Sequence, residues 1–388
     1  MKVIYYSHPF FSDCDFPLIN ALQEKGVDVH YYIPLCYNFQ RSGVLDFEKP
    51  LRKWGIYRAS QIKEMDIYKN CLDLDKLYLI CGFVSKRWFP LSWLLYLFVC
   101  LHIFRQKADV FHFTWHFNCF EKVFFLLNFT KKVMTVHDPI QHSGLKDYEK
   151  NEKLRIKCFS WADYFILLNH VQIDIFSKCY KISKDNILES HLGVYDAISH
   201  ISIPNTIVRS SYIVFFGQIT PHKGLEYLLE AMASIHKQHP DIKLLIAGGG
   251  ELYFDINPYR DLDYIIWENR YIGIRELVNF VRNSLLAVCP YKDATQSGVV
   301  QTAFALNTPV VATDVGALPV IVKDGLYGKI VPACNAKALA DAICELIESP
   351  KTLKEMQDNI LNQCLPSMSW SPIAQDYINF YNAGKQIL

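Results

Sequence analysis

Hydrophobic positions along the chain gather into short apolar runs separated by amphipathic stretches. Val3–Tyr6 and Val27–Ile33 are rich in β-branched and aromatic residues and predict strands. Between them Phe16–Lys25 has a helical period that Gly26 stops. Residues 35–80 show no clear period and read as an insertion. Beyond them Asp109–Trp115, Lys132–Val136 and Tyr164–Leu168 predict strands, and Phe120–Asn128, Tyr148–Phe159 and Val171–Cys179 predict helices. Residues 196–210 are polar and Pro-containing without a period, which predicts a linker. The alternation then restarts, with strands over 212–216, 242–247, 285–289, 309–312 and 328–331. Helices are expected over 224–237, 274–283, 298–306, 335–348, 351–364 and about 371–384. Such alternation is the pattern of a parallel sheet wound on both faces. The expected fold class is therefore α/β, two doubly wound, Rossmann-like domains facing across a cleft. Ligands are expected outside the carboxyl ends of the strands.

One apolar run stands apart. Trp88–Phe104 (WFPLSWLLYLFVCLHIF) is flanked by Lys86-Arg87 and by Arg105 and Lys107. As a helix it spans about 26 Å, short of a bilayer core about 30 Å thick. A buried helix and an interfacial helix held against anionic lipid both fit it better than a membrane span. Length and charge narrow the rest. The 388 residues suffice for two domains with cores of their own. A net charge of +1 argues against nucleic acid as a partner. The charge is uneven: residues 1–190 hold 25 Lys/Arg against 20 Asp/Glu, and the remainder 15 against 19. The 12 Cys form no CxxC pair and no zinc spacing, and many sit in apolar runs. This implies a reducing, cytoplasmic setting, with the run 88–104 a candidate contact at the inner face of a membrane.

Four stretches carry candidate chemistry. Phe216–Gly224 (FGQITPHKG) ends a strand at Gly217 and opens a helix near Gly224, with Lys223 beside it. Amide groups at a helix start plus a lysine suit an anion, although the stretch also reads as an ordinary turn with a surface lysine. In Pro290–Ala312 a polar loop (Lys292, Asp293, Thr295, Gln296, Ser297) precedes Gly298 and a small-residue helix, which suits phosphate or sugar hydroxyls, or is simple capping. His137 follows a first-domain strand, with Asp138 placed to orient it, and histidine titrates near neutrality; a satisfied strand-end histidine is the plainer alternative. Gly248–Gly250 permits close backbone approach to a ligand. No GxGxxG opens a helix after a strand, which argues against a nicotinamide enzyme.

Taken in order, FxGxIxxxKG, AGGG, NRYI, PY…ATQSGV and TPVVATDVGALPVIVKDGLYGKIVP resemble the carboxyl domain of retaining GT-B glycosyltransferases, family 4 (glycosyl transferases group 1). The resemblance covers about 211–364 and is thinner before 195, where ADVFHFTW, VMTVHDP and HLGVYD carry it. It implies an acceptor-binding domain over 1–195, the linker 196–210, a nucleotide-sugar domain over 211–365, and a helix within 366–388 crossing back to the first domain. It makes Lys223 the holder of the donor diphosphate and Gly248, Gly249 and Gly250 a turn by the nucleotide. Asn269, Arg270 and Tyr271 would pass the base, and His137 would sit by the transferred sugar. Gly217, Gln218, Thr295, Gln296, Ser297, Gly298, Val299 and Thr302 complete the donor set.

The chain also departs from the family. Gln218 stands where an Arg is common, so one cationic clamp is missing. Anchored on Thr308–Val311, the E-x7-E pair falls on Ala294 and Thr302, neither acidic, with Asp293 and Gln301 one residue away. The ATQSGV form resembles a subgroup lacking those glutamates, and Asp293 is the stand-in considered for holding a sugar hydroxyl. The expected activity is transfer of a hexose from a nucleoside diphosphate sugar to a glycan or lipid-linked glycan, with retention, in cell-surface polysaccharide synthesis. The expected catalytic residues are His137, Lys223 and Asp293. Tyr5, Tyr6, Phe10, Phe11 and Trp115 are expected to hold the acceptor. No metal and no cofactor are expected. The competing readings are a non-catalytic GT-B scaffold and a nucleotide-sugar epimerase or phosphorylase of the same fold.

Overall fold

The computed structural model describes residues 1–35, 41–42, 44–47, 51, 54–82, 91–114, 120–127, 129, 131–137, 139, 148–168, 172–202, 211–294 and 297–383. The strands in chain order are β1 (Lys2–Tyr6), β2 (Asp28–Leu35), β3 (Arg41–Ser42), β4 (Leu45–Asp46), β5 (Gly55–Arg58), β6 (Leu77–Cys81), β7 (Val110–Phe113), β8 (Lys131–Val136), β9 (Tyr164–Leu167) and β10 (Ile187–Glu189). They continue as β11 (Tyr212–Phe216), β12 (Lys243–Ala247), β13 (Ile265–Glu268), β14 (Ala287–Cys289), β15 (Val310–Thr313) and β16 (Gly328–Val331). The chain divides into one unit formed by Met1–Gly193 with Trp370–Leu388, and a second formed by Val194–Ser369. Each is a Rossmann-like α/β domain.

The first unit holds the strand order β10-β9-β8-β7-β1-β2-β6-β5. All neighbours are parallel except β5, which runs antiparallel to β6 at the edge. Sheets covered on both faces bury continuous apolar strands. Accordingly Tyr5 and Tyr6 are buried in β1, at 1% and 4% exposure. They are core residues and not acceptor-loop aromatics, because a strand in mid-sheet presents both of its faces to packed layers. Trp115 lies outside the described residues. The unread region 35–80 contains two strands of this sheet, β5 and β6. The expected helix over Phe120–Asn128 is a 3-10 turn, Glu121–Leu126. The helix Trp370–Asn382 packs on the helix Ser12–Glu24, joining the chain's two ends in one core.

Under that helix lies a buried polar network. Asp15 is 2% exposed and accepts hydrogen bonds from the Tyr5 hydroxyl (2.8 Å) and the Tyr31 hydroxyl (3.1 Å). His112 pairs through Nδ1 with the Tyr381 hydroxyl and through Nε2 with Thr135 Oγ1 at 2.7 Å. Burial pushes the Asp15 carboxyl up to about 7 and the His112 imidazole down to about 3.

The second unit has the order β13-β12-β11-β14-β15-β16, parallel throughout. Its core packs Leu228, Leu229, Met232 and Ile235 from the helix Leu225–Gln238 against Leu244, Ile246 and Val288 of the sheet. The strand order reverses where β11 separates β12 from β14, the switch point at which open parallel sheets bind ligands.

Candidate functional site

The carboxyl ends of β11, β12, β13 and β14 meet at this switch point, and glycines permit the meeting. Gly217 ends β11 at φ +99°, a conformation favouring glycine. A side chain there would meet Lys223 Nζ at 3.0 Å and Val299 Cγ2 at 3.3 Å. Gly248 ends β12 so close to Gly217 that a Cβ would fall 2.0 Å from the Gly217 carbonyl oxygen. At Gly250 a Cβ would fall 2.3 Å from the Ile219 carbonyl oxygen. The Gly250 amide donates to Asn269 Oδ1 at 3.0 Å, and Gly249 faces the Arg270 backbone at van der Waals distance. The expected residues Gly217, Lys223, Gly248, Gly249, Gly250, Asn269, Arg270 and Val299 thus form one cluster.

The helix Gly298–Ala305 starts at the same edge. Ser297 caps it, its Oγ accepting from the Val300 amide, and it donates to the Tyr291 hydroxyl at 3.4 Å. Gly298 leaves room for the Tyr195 ring, 3.0 Å from where a Cβ would stand. Thr302 is buried within the helix, and so is Gln301, whose Oε1 has no hydrogen-bond partner among the described residues. Thr295 and Gln296 lie outside the described residues. Gln218 and Asp293 are exposed. Tyr195 and Tyr291 were missed from sequence: each reaches the site through a contact that no local motif signals.

Charge pairing sorts the cations at this edge. Lys292 Nζ pairs with Glu226 Oε1 at 2.7 Å. Arg270 pairs with Glu268 at 2.8 Å and Glu276 at 2.6 Å, which hold its guanidinium well above the ordinary arginine range. Lys223 is half-buried, lies 5.6 Å from the centroid of the Tyr291 ring, and makes no ion pair with a described residue. Burial lowers its amine below the usual lysine value, and Cys289, pushed up to about 12, opposes this weakly. A desolvated ammonium without a carboxylate is a standing attraction for an anion.

His137 lies in the first unit, directly after β8. Its ring stacks on Phe11 at 4.0 Å, and its buried Nε2 has no hydrogen-bond partner among the described residues. Burial pushes the imidazole down to about 3. It is therefore neutral at physiological pH, and the expectation of a titration near neutrality is corrected: the aromatic stack removes the water that would solvate the charge. Asp138 lies outside the described residues. Among the described residues no group of three or more His, Cys, Asp or Glu is placed to hold a metal.

Comparison with known proteins bears on this arrangement. Residues 210–349 match the family described as Glycosyl transferases group 1. That span contains the whole Lys223 cluster. Alpha-maltose-1-phosphate synthase of Mycobacterium tuberculosis (strain CDC 1551 / Oshkosh) is 28% identical over 183 residues, 43% of this chain and 46% of that protein. D-inositol 3-phosphate glycosyltransferase of Corynebacterium glutamicum (strain R) is 27% identical over 184 residues, 45% of this chain and 44% of that protein. The chain thus spans about half the length of the curated relatives it matches. Among solved structures, sucrose-phosphate synthase from Thermosynechococcus elongatus superimposes with a TM-score of 0.64 at 17% identity, covering 99% of this chain and 98% of that one. Anabaena Alr3699/HepE in complex with UDP and glucose gives 0.66 at 13% identity, covering 99% and 100%. These likenesses show the fold, the two Rossmann-like domains of GT-B glycosyltransferases.

Proposed function

We propose that this chain is a glycosyltransferase that moves a hexose from a nucleoside diphosphate sugar to a glycan or lipid-linked glycan acceptor, with retention, in cell-surface polysaccharide synthesis. The observation that carries the reading is Lys223: a desolvated ammonium, unpaired among the described residues, at a switch point whose neighbouring cations are already neutralised. Relatives named as glycosyltransferases, and a structural neighbour solved with UDP and glucose, support a nucleotide-sugar donor.

In this reading the diphosphate lies against Lys223 and the amides opening the helix Gly298–Ala305. As the sugar–phosphate bond breaks, negative charge grows on the departing diphosphate, and these fixed donors stabilise it without reorganising. The role assigned to them requires no metal or other cofactor. The glycine edge at Gly217 and Gly248–Gly250 lets backbone approach the nucleotide, and Asn269, Arg270 and Tyr271 border the base. Ser297 and Val299, at the start of the helix Gly298–Ala305, meet the sugar–phosphate region with Gln218 beside it, and Thr295, Gln296 and Thr302 are carried as donor residues by the family resemblance alone. His137, held neutral by burial, is assigned a hydrogen-bonding role and not that of a proton store. Asp293 is exposed and free to orient toward a sugar hydroxyl. The test is calorimetric titration with a panel of UDP-, GDP- and ADP-sugars. At least one is expected to bind, and Lys223→Ala to weaken it by tenfold or more, about the worth of a charged hydrogen bond. Absence of binding across the panel refutes the enzyme reading. A donor that binds but is neither transferred nor hydrolysed supports the scaffold, which Gln218 and the non-acidic Ala294 and Thr302 favour.

A further inference from the structure

The helix Ser92–Arg105 in the first unit has two apolar faces, and only one of them is covered. Leu95, Tyr96, Val99, Cys100 and Ile103 are buried in the core. Leu94, Leu97, Phe98, Leu101 and Phe104 point outward, at 50%, 45%, 55%, 52% and 64% exposure, with Trp93 beside them at 44%. Single exposed apolar residues are ordinary, but a stripe along three turns marks a contact surface. The stripe is about 17 Å long. The Trp54 ring meets Phe98 edge-on at 6.2 Å and widens it.

The rim of the stripe is basic. The helix carries no acidic residue. Arg105 ends it, Lys107 follows, and both are exposed. Exposed Arg58 and Arg105 both disfavour protonation of His102, which places two guanidinium groups by the last turns. His102 itself is occupied, its Nδ1 bonded to the Tyr32 hydroxyl at 2.8 Å. A second copy of this face would bring like charges together at the rim, whereas phosphate headgroups complement them. The helix is too short to cross a bilayer, and among the described residues no helix is long and apolar enough to do so.

We propose that this helix lies in the plane of an anionic bilayer. Leu94, Leu97, Phe98, Leu101 and Phe104 enter the edge of the acyl region, Trp93 lies at headgroup level, and Arg58, Arg105 and Lys107 meet lipid phosphates. The proposal stands on these exposures and charges and not on sugar transfer; it supplies a surface on which a lipid-linked acceptor would be met.

The test is co-sedimentation of the full chain, without sugar donor, with vesicles of phosphatidylcholine alone or with about a third phosphatidylglycerol. Wild type is expected to partition onto the anionic vesicles at least about tenfold better than onto the neutral ones. The double variant F98E/L101E, changed only at exposed positions and checked by circular dichroism, is expected to lose binding about tenfold or more. R105E/K107E is expected to lose the preference for anionic lipid. Wild type remaining in the supernatant overturns the proposal, as does equal binding by F98E/L101E. A solution dimer that F98E/L101E splits overturns it too, since a second copy would then cover the stripe. Donor binding is measured separately by calorimetry, so failure of either reading leaves the other standing.

Discussion

Replacing Lys223 with methionine should move stability and ligand affinity in opposite directions. The substitution keeps a side chain of similar length beside the Tyr291 ring and removes the ammonium. In the free protein that ammonium is desolvated and has no ion pair among the described residues, so the unliganded unit should gain up to about 1 kcal/mol, the lower part of the cost of an unsatisfied buried donor. A bound diphosphate reverses the balance. A hydrogen bond to a charged group is worth about 1.5–3 kcal/mol, so affinity should fall about 10–150-fold. At a donor concentration 100 times the wild-type Kd, ligand stabilises wild type by about 2.7 kcal/mol; in Lys223→Met the same concentration should give only about 0.3–1.4 kcal/mol. Urea titrations with and without nucleoside diphosphate, paired with calorimetry, read both quantities. If the variant binds the diphosphate as tightly as wild type, the anion is not held here. If the variant is less stable without ligand, Lys223 has a stabilising protein partner and the argument from its unpaired charge fails.

Further outcomes follow from the geometry. Gly248→Ala would set a Cβ 2.0 Å from the Gly217 carbonyl oxygen and should cost more than about 3 kcal/mol in urea denaturation, whereas Gly26→Ala, at φ +80° with nothing within 4 Å, should cost only about 1 kcal/mol. Asp15 is raised in the folded state to about 7, so its contribution is fully present below about pH 4 and is lost as pH rises through 7. Asp15→Asn should therefore compare more favourably with wild type at pH 8 than at pH 4.5, and an equal difference at both pH values would refute burial of a titrating carboxyl. His137 and His112 have the opposite sign: both are held down to about 3, so the stability lost on acidification between about pH 6.5 and 3 should shrink in His137→Gln, read by the same denaturation at pH 5. Tyr381→Phe strips His112 Nδ1 of its partner under the last helix and should destabilise the first unit by about 1–3 kcal/mol in urea melts.

The second unit was legible in sequence because its constraints are local, apart from the edge strand β13, which is not among the strands expected from sequence. Gly217, Gly248 and Gly250 each stand within a few residues of a strand end and Gly224 opens a helix, and the backbone they permit follows from their position alone. The first unit was less legible because its information is not local. β6 is a fully apolar run, LYLIC, with no alternation to distinguish it from a buried helical turn, and its edge partner β5 is four residues long. Tyr5 and Tyr6 look like sugar-stacking aromatics until the sheet order places β1 between β7 and β2. The exposed stripe on Ser92–Arg105 was visible only as an apolar run, since which of its faces the core takes is decided by Phe120, Phe124 and their neighbours.

The same distinction explains why Lys223 stands out only in three dimensions. Sequence places three cations near the strand ends of the second unit, Lys223, Arg270 and Lys292, and ranks them by motif. Folding ranks them by partner. Glu226 reaches Lys292 from 66 positions away, and Glu268 and Glu276 close on Arg270 from either side. Each pairing cancels a charge that could otherwise have met a phosphate. With Gln218 uncharged, among the described residues the field at the switch point then rests on one ammonium and the amides of a helix start. A site built this way should be more sensitive to loss of that single charge than one with a second clamp. Restoring the clamp by Gln218→Arg should raise diphosphate affinity in wild type and recover part of what Lys223→Met loses, whereas a Gln218→Arg that changes neither would put the diphosphate elsewhere.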